Sequence, residues 1–179
     1  KLVSENSEKR IQKLESLKGS EVLLELNTLH KQGIEFVEPA DLSGAIRGRH
    51  NLYTHLELMI RNAKKSVSIM TTAKGVMRKI EALNPEFEKL SKKGIKIKIA
   101  ANLTKENKQA IEDVKKFAEI KNVSDINARF CIVDNKEILF MVLDDEETHP
   151  SYDLGIWVNT PYFATALNNL FELAWKNIK

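Results

Sequence analysis

The sequence predicts an α/β fold: a mixed sheet flanked by helices, with a charged amino-terminal helix of coiled-coil type in front of it. Two observations carry that expectation. From residue 51 onward, segments with apolar residues at helical spacing alternate with short segments of period two. That is the pattern of parallel strands joined by right-handed helical crossovers. After residue 127 strand-like segments follow one another without an intervening helix, which supplies an antiparallel portion. At 179 residues the chain has room for one ordinary domain and an appendage. Its 42% hydrophobic and 30% charged residues offer the apolar surface that must offset chain entropy.

Residues 1–32 are charge-rich, with Ile11, Leu14, Val22, Leu23, Leu26 and Leu29 as apolar punctuation and Gly19-Ser20 as a break. They read as a linker helix whose apolar side needs a partner, either a second copy or the body of its own domain. The body is expected over residues 33–179. It opens with a short strand and a loop in "GIEFVEPADLSGAIRGR". Leu52, Leu56, Met59, Ile60 and Ala63 then mark a helix that ends near "NAKKS", and "SVSIMTT" alternates as a strand does. A helix is expected from Val76 to Lys92, with Pro85 at a start or a kink and Gly94 closing it. "IKIKIAAN" is a strand, and Thr104 is the expected cap of a helix from Lys105 to about Ala118. A polar connection leads to "NARFCIVDNKEILF", two strands around a two- or three-residue turn. The acidic loop "DDEETHPS", the strand "YDLGIWVN" and a helix from Pro161 to Ile178 complete the chain.

The bulk properties exclude several classes. A formal charge of +3, with lysines interspersed among acids, does not by itself argue for nucleic-acid binding, although a basic face confined to one part of the surface is compatible with it. The single cysteine, Cys131, rules out an internal disulfide and a cysteine-based zinc site, which suits a reducing cytosol. No apolar run approaches the ~18–20 residues that span a bilayer, and no signal peptide opens the chain. A cytoplasmic protein without membrane partners or cofactors is expected. The chain begins at Lys1, without methionine and inside a helical pattern, so a preceding amino-terminal part is expected too.

In open α/β sheets ligands gather at the carboxyl ends of the parallel strands. Here that end carries Thr71, Thr72 and Lys74 after one strand and Asn102 with Thr104 after the next. If the strand from Asn127 to Val133 runs antiparallel to these two, Asn127 and Arg129 join the same rim, Arg129 sharing a face with Cys131 and Val133. Asp153, after the acidic loop, falls there as well. The candidate ligand-binding residues are therefore Thr71, Thr72, Lys74, Asn102, Asn127, Arg129 and Asp153, with no catalytic and no metal-binding residue. Arg129 can also be read as paired with an acid for structure alone. His149 within "DDEETHP" is read as surface rather than as a metal ligand, and His30, His50 and His55 as structural or surface residues. Trp157, Trp175, Phe163 and Phe171 fit core packing, Tyr53 and Arg61 belong to the rim or the surface, and Cys131 is expected to be buried and unreactive.

The stretch from Gly48 to Lys179 resembles the phospholipase D-like fold: "LELMIRNAKKSVSIMTT" its opening helix and strand, "ARFCIVDNKEILF" its signature hairpin, "DLGIWVNTPYFATALNNLFELAW" its closing strand and helix. The family's enzymes carry His-x-Lys-x-x-x-x-Asp in that hairpin, where His attacks a phosphodiester and Lys holds the phosphate. The matching residues here are Asn127, Arg129 and Asp134. An amide nitrogen delocalises its lone pair into the carbonyl and cannot replace the nucleophile, so cleavage is not expected. Arg129 keeps the charge as a planar fork and Asn127 offers donor and acceptor, a combination suited to reversible binding.

A charged helix joined to a phospholipase D-like body without the catalytic His further resembles the TrmB family of archaeal, sugar-responsive transcriptional regulators. That resemblance implies a homodimer through residues 1–32, DNA contact through an amino-terminal winged-helix domain, and a small-molecule effector, a sugar or an anion, in the body. The implied function is ligand sensing and dimerisation without catalysis. The rival readings are a divergent phosphodiesterase or nuclease recruiting His50 or His149, and a dimerisation module that binds no ligand.

Overall fold

The computed structural model describes Glu21, Leu24, Glu25, Thr28 and residues 39–124 and 128–178. The chain divides into two compact units, Lys1–Glu38 and Pro39–Lys179. In the first, the four described residues are helical, and Thr28 Oγ1 donates to the Leu24 carbonyl at 2.7 Å. The rest of the dimer-forming helix expected over 1–32 lies outside the described residues, as does the expected boundary at residue 33.

The second unit runs α1 (Pro39–Leu42), β1 (Ser43–Arg47), α2 (Arg49–Arg61), β2 (Ser66–Thr71), α3 (Ala73–Lys92), β3 (Lys96–Ala101), α4 (Lys108–Val114), β4 (Glu119–Asn122), β5 (Phe130–Val133), β6 (Glu137–Met141), a 3-10 turn (Pro150–Tyr152), β7 (Leu154–Asn159) and α5 (Pro161–Asn177). One seven-stranded sheet takes the order β1-β7-β6-β5-β2-β3-β4. β2, β3 and β4 are parallel, and every other pairing is antiparallel. The mixed sheet expected from the alternation is thus observed, with β5 antiparallel to β2.

Side-chain alternation divides the core between the two faces. Ile69, Ile99, Cys131 and Leu139 face a cluster with Leu52, Leu56 and Ile60 of α2 and Val76, Leu83 and Phe87 of α3. Met70, Ala100, Ile132 and Ile138 face α5, which buries Ala164, Phe171 and Trp175. Phe171 and Trp175 are core residues as expected. Phe163, assigned to the core from the sequence, is 44% exposed because it projects from the outer side of the first turn.

Four local features differ from the sequence reading. The polar connection contains β4, an edge strand "EIKN" whose single apolar residue is too little to show alternation. α4 ends at Val114 rather than Ala118, where the Phe117 and Ala118 N–H groups both turn back to the Val114 carbonyl. Its start is organised by Asn107, not Thr104: the fully buried Asn107 side chain accepts from Thr104 N at 2.9 Å and donates to the Asn102 carbonyl at 2.9 Å. α3 begins at Ala73, three residues earlier than expected, and continues past Pro85, which lies on its exposed side.

The β5–β6 turn puts Asp134 and Asn135 at φ 56° and 55°, with Lys136 N donating to the Val133 carbonyl at 2.9 Å. Two successive left-handed residues match the twist of a hairpin, and Asp-Asn tolerates them. The Asp134 carboxylate accepts from the backbone N–H groups of Lys64, Lys65 and Ser66 at 2.7–3.0 Å. Asp134 therefore fastens the start of β2, at the end of β5 opposite Arg129, and takes no part in the rim.

Candidate functional site

Because β2 and β3 run parallel and β5 comes back between β2 and β6, the ends of β2 and β3 and the start of β5 meet at one rim. A cavity of about 360 Å³ opens there. Thr71, Thr72, Asn102 and Arg129 line it, closed over by Met141 to Asp144 and Glu146 of the loop after β6.

Beneath the cavity lies a buried charge network. Arg129 is only 5% exposed and holds Asp153, itself fully buried, in a two-point pair of 3.1 and 3.0 Å. A third guanidinium hydrogen bond, 2.6 Å, goes to the Leu143 carbonyl. Arg49 Nε donates to Asp153 Oδ2, which also accepts from Arg129, at 2.9 Å, and Arg49 Nη2 donates to the Thr148 carbonyl at 3.1 Å. Burial by itself pushes the Asp153 carboxyl up, but the hydrogen bonds and charges of Arg129 and Arg49 outweigh it and leave it below the ordinary value. Asp145, buried in the loop, accepts from Thr72 Oγ1 at 3.0 Å and pairs with Arg78. Thr72 also caps α3, accepting from Gly75 N at 3.0 Å. Two carboxylates thus latch the cavity loop to α2, α3 and β5.

Lys79, 1% exposed, donates to Thr71 Oγ1 at 3.0 Å and lies 5.6 Å from the Tyr53 ring centre. Burial, reinforced by the neighbouring charge of Arg129, pushes its amine down to about 7. Burial also pushes the Tyr53 hydroxyl up, against the Arg78 guanidinium beside it. Cys131, fully buried behind this group, is pushed up to about 12 by burial and is unreactive, as expected.

The structure thus sorts the expected site residues. Thr71, Thr72 and Asn102 line the cavity. Lys74 is exposed at the mouth, 3.9 Å from Glu146. Asn127 lies outside the described residues. Arg129 and Asp153 are where the strand register puts them, Arg129 in the lining of the cavity. They pair with each other in the interior, and Asp153, fully buried, is not among the residues that line the cavity. Asp145, Arg49, Arg78 and Lys79 were not anticipated. Lys79 had a signal, since it falls on the apolar stripe of α3 between Val76 and Leu83. Asp145 had none, because nothing in "DDEE" distinguishes the one acid that turns inward.

The histidines have local tasks. His149 Nδ1 accepts from Ser151 N at 3.3 Å, and His55 packs edge-on against Trp157 at 5.5 Å. Among the described residues no group of three or more His, Cys, Asp or Glu side chains is placed to hold a metal.

Gly75 sets the closeness of this packing. A Cβ there would stand 2.3 Å from Thr71 Oγ1 and 2.8 Å from Thr72 Oγ1. Gly75→Ala is therefore expected to cost about 1–3 kcal/mol in urea unfolding as both hydroxyls are displaced. Gly44→Ala, with nothing within 4 Å, should stay within about 0.5 kcal/mol. Equal costs at the two positions would contradict this geometry.

Comparison with known proteins agrees with this architecture. The chain is similar in structure to TrmBL2, described as an archaeal chromatin protein with a novel mode of DNA binding. The TM-score is 0.61 at 18% identity, covering 99% of this chain and 67% of that one. It is similar to Nuc from Salmonella typhimurium, a phospholipase D family member, with a TM-score of 0.59 at 16% identity, covering 76% of this chain and 97% of that one. NucT from Helicobacter pylori gives a TM-score of 0.59 at 12% identity, covering 76% and 96%. These likenesses establish a phospholipase D-like fold. No curated protein matches the chain. A family model does, over residues 44–179, and by that match the chain belongs to the family described as transcriptional regulator TrmB, EBD N-terminal subdomain.

Proposed function

We propose that residues 39–179 are the ligand-sensing part of a non-enzymatic transcriptional regulator, and that the ligand enters the rim cavity. The observation that carries this reading is a polar cavity beside a guanidinium already neutralised by an internal carboxylate. A phosphodiesterase needs a nucleophile and an available cation at this place. The position of the family's nucleophile holds Asn127 in the sequence, and Arg129 is engaged with Asp153. What the cavity offers a ligand is amide and carboxylate from Asn102, Asp144 and Glu146, over a floor of the Thr71 and Thr72 hydroxyls that Lys79 and Asp145 hold in place. Two carboxylates oppose an anion, whereas this set suits the hydroxyls of a neutral sugar. Of the two effector classes implied by the sequence, the sugar is therefore favoured.

Because loop and helix share the lining, an occupant that prefers one loop position shifts the Asp145 latch on Thr72 and Arg78. Coupling to DNA requires such a preference. In the full regulator the shift would pass to a dimer formed through residues 1–32 and to a winged-helix domain ahead of them, in the cytoplasm.

Thermal-shift screening with sugars, nucleotides and inorganic anions tests the reading, since any ligand of the native state must raise its melting temperature. A sugar is expected to do so, and Asn102→Ala or Thr72→Val to reduce the shift at least severalfold. Turnover of a chromogenic phosphodiester, or a panel in which nothing stabilises the protein, would defeat it.

A further inference from the structure

The end of the sheet opposite the cavity gathers lysines. β2 and β3 start there, and the antiparallel β5 ends there, so the segments 62–66, 91–98 and 133–137 converge. Lys64 and Lys65 precede β2, Lys93 and Lys96 flank the start of β3, and Lys136 sits in the β5–β6 turn. Their backbones are tied together: Lys96 N donates to the Lys65 carbonyl at 3.3 Å, and the Asp134 carboxylate takes the N–H groups of Lys64 and Lys65. All five side chains are exposed. Among the described residues none of them is in an ion pair, whereas Lys89, Lys92 and Lys115 each have a glutamate. Two acids at this end have other tasks, Asp134 on backbone N–H groups and Glu137 accepting from Trp157 Nε1 at 3.5 Å, while Glu119, exposed at the start of β4 in register with Lys98, is a single acid against five lysines. At the cavity end the charges are instead paired: Asp145 with Arg78, Asp153 with Arg49 and Arg129, and Glu146 with Lys74. Lysines without an ion pair are thus gathered at one end of the strands, about 20 Å from the cavity for a six-residue strand.

We propose that this lysine rim is a contact surface for the phosphate backbone of duplex DNA, made by the effector domain itself in addition to any DNA-reading domain. Lysine ammonium groups on flexible stems neutralise phosphates without reading bases. The three segments contain no aromatic side chain on which unstacked bases would lie, which disfavours single strands. None of the exposed large hydrophobic residues falls in them, which disfavours a lipid surface. The cavity, at the other end of the strands, would stay open to an effector. The inference does not depend on the sugar reading, since no cavity residue takes part.

The experiment is fluorescence anisotropy of the 1–179 chain with a labelled duplex of random sequence between about 50 and 200 mM salt. Weak, sequence-independent binding is expected, with log K falling linearly in log salt. Replacing Lys64, Lys65, Lys96 and Lys136 by Gln should reduce that slope by about 3–4, at about 0.9 per phosphate contact, with an unchanged melting temperature. Lys105→Gln with Lys176→Gln, exposed lysines elsewhere, should leave the slope as it is. The proposal is overturned by absence of duplex binding at the lowest salt or by an equal slope in the fourfold variant. Preference for single-stranded DNA or for phosphatidylserine vesicles overturns it as well.

Discussion

Asp153→Ala is expected to lower the stability of the domain by about 3–5 kcal/mol, the cost of leaving buried guanidinium groups without their carboxylate. Asp153 is fully buried and takes two hydrogen bonds from Arg129 and one from Arg49. Its removal strands two cations and frees the loop whose carbonyls Arg49 and Arg129 also hold. Equilibrium denaturation measures the loss. The Arg129→Met and Asp153→Leu pair, combined, should cost less than the sum of the two changes, because the most deeply buried charge goes with its partner and only Arg49, 16% exposed, is left without the carboxylate. Additive losses would mean that the pair is not coupled. The pH dependence follows from the direction of the shift. A carboxyl held below its ordinary value of 3.8 contributes stability that is complete above that value and is lost as pH falls through the lower folded-state value. Wild type should therefore lose stability in acid below pH 3.8 along a slope that Asp153→Asn lacks.

Lys79→Met should act in the other direction. The amine titrates near 7 in the folded protein and near 10.5 when exposed. Between those values the unfolded chain holds a proton that the folded one does not, so stability rises with pH across that window, and the full cost of burying a charge is felt below it. The surroundings agree: Arg129 and Arg78 oppose the charge, Asp153 alone among the carboxylates favours it, and the one hydrogen-bond partner is the neutral Thr71 hydroxyl. Methionine fills the same channel without charge. We expect the variant to be more stable at pH 6 by on the order of 3 kcal/mol, with the rise between about pH 7 and 10.5 abolished. Urea unfolding across pH checks both. A wild-type profile already flat over that window would refute the assignment.

Much of the framework was legible before the structure. α2, α3 and α5 announce themselves because long helices repeat their apolar stripe several times, and β2, β3 and the β5–β6 hairpin because buried strands alternate cleanly. β4 escaped because a four-residue edge strand buries too little to leave a pattern. The start of α4 was misplaced because Asn107 organises it by reaching back to Asn102 and Ala73 rather than by capping in place. The site was legible as an address, not as a set of roles: Thr71, Thr72, Asn102 and Arg129 do meet at one rim. What they do there depends on residues brought in from α2, from the body of α3 and from the loop after β6.

By itself the sequence determined the alternation of elements, the rim at which polar residues collect, and the amide at position 127 where cleavage would require an imidazole. Periodicity and residue chemistry are local, and a single chain displays them. Only the tertiary structure decided that Arg129 faces inward to Asp153, that Asp145 rather than its three acidic neighbours latches the loop, and that lysines distributed through three segments converge on one end of the sheet. Which charge meets which is fixed by register and burial between residues far apart in the chain: 24 apart for Arg129 and Asp153, 67 for Arg78 and Asp145, 104 for Arg49 and Asp153. No local pattern encodes that pairing.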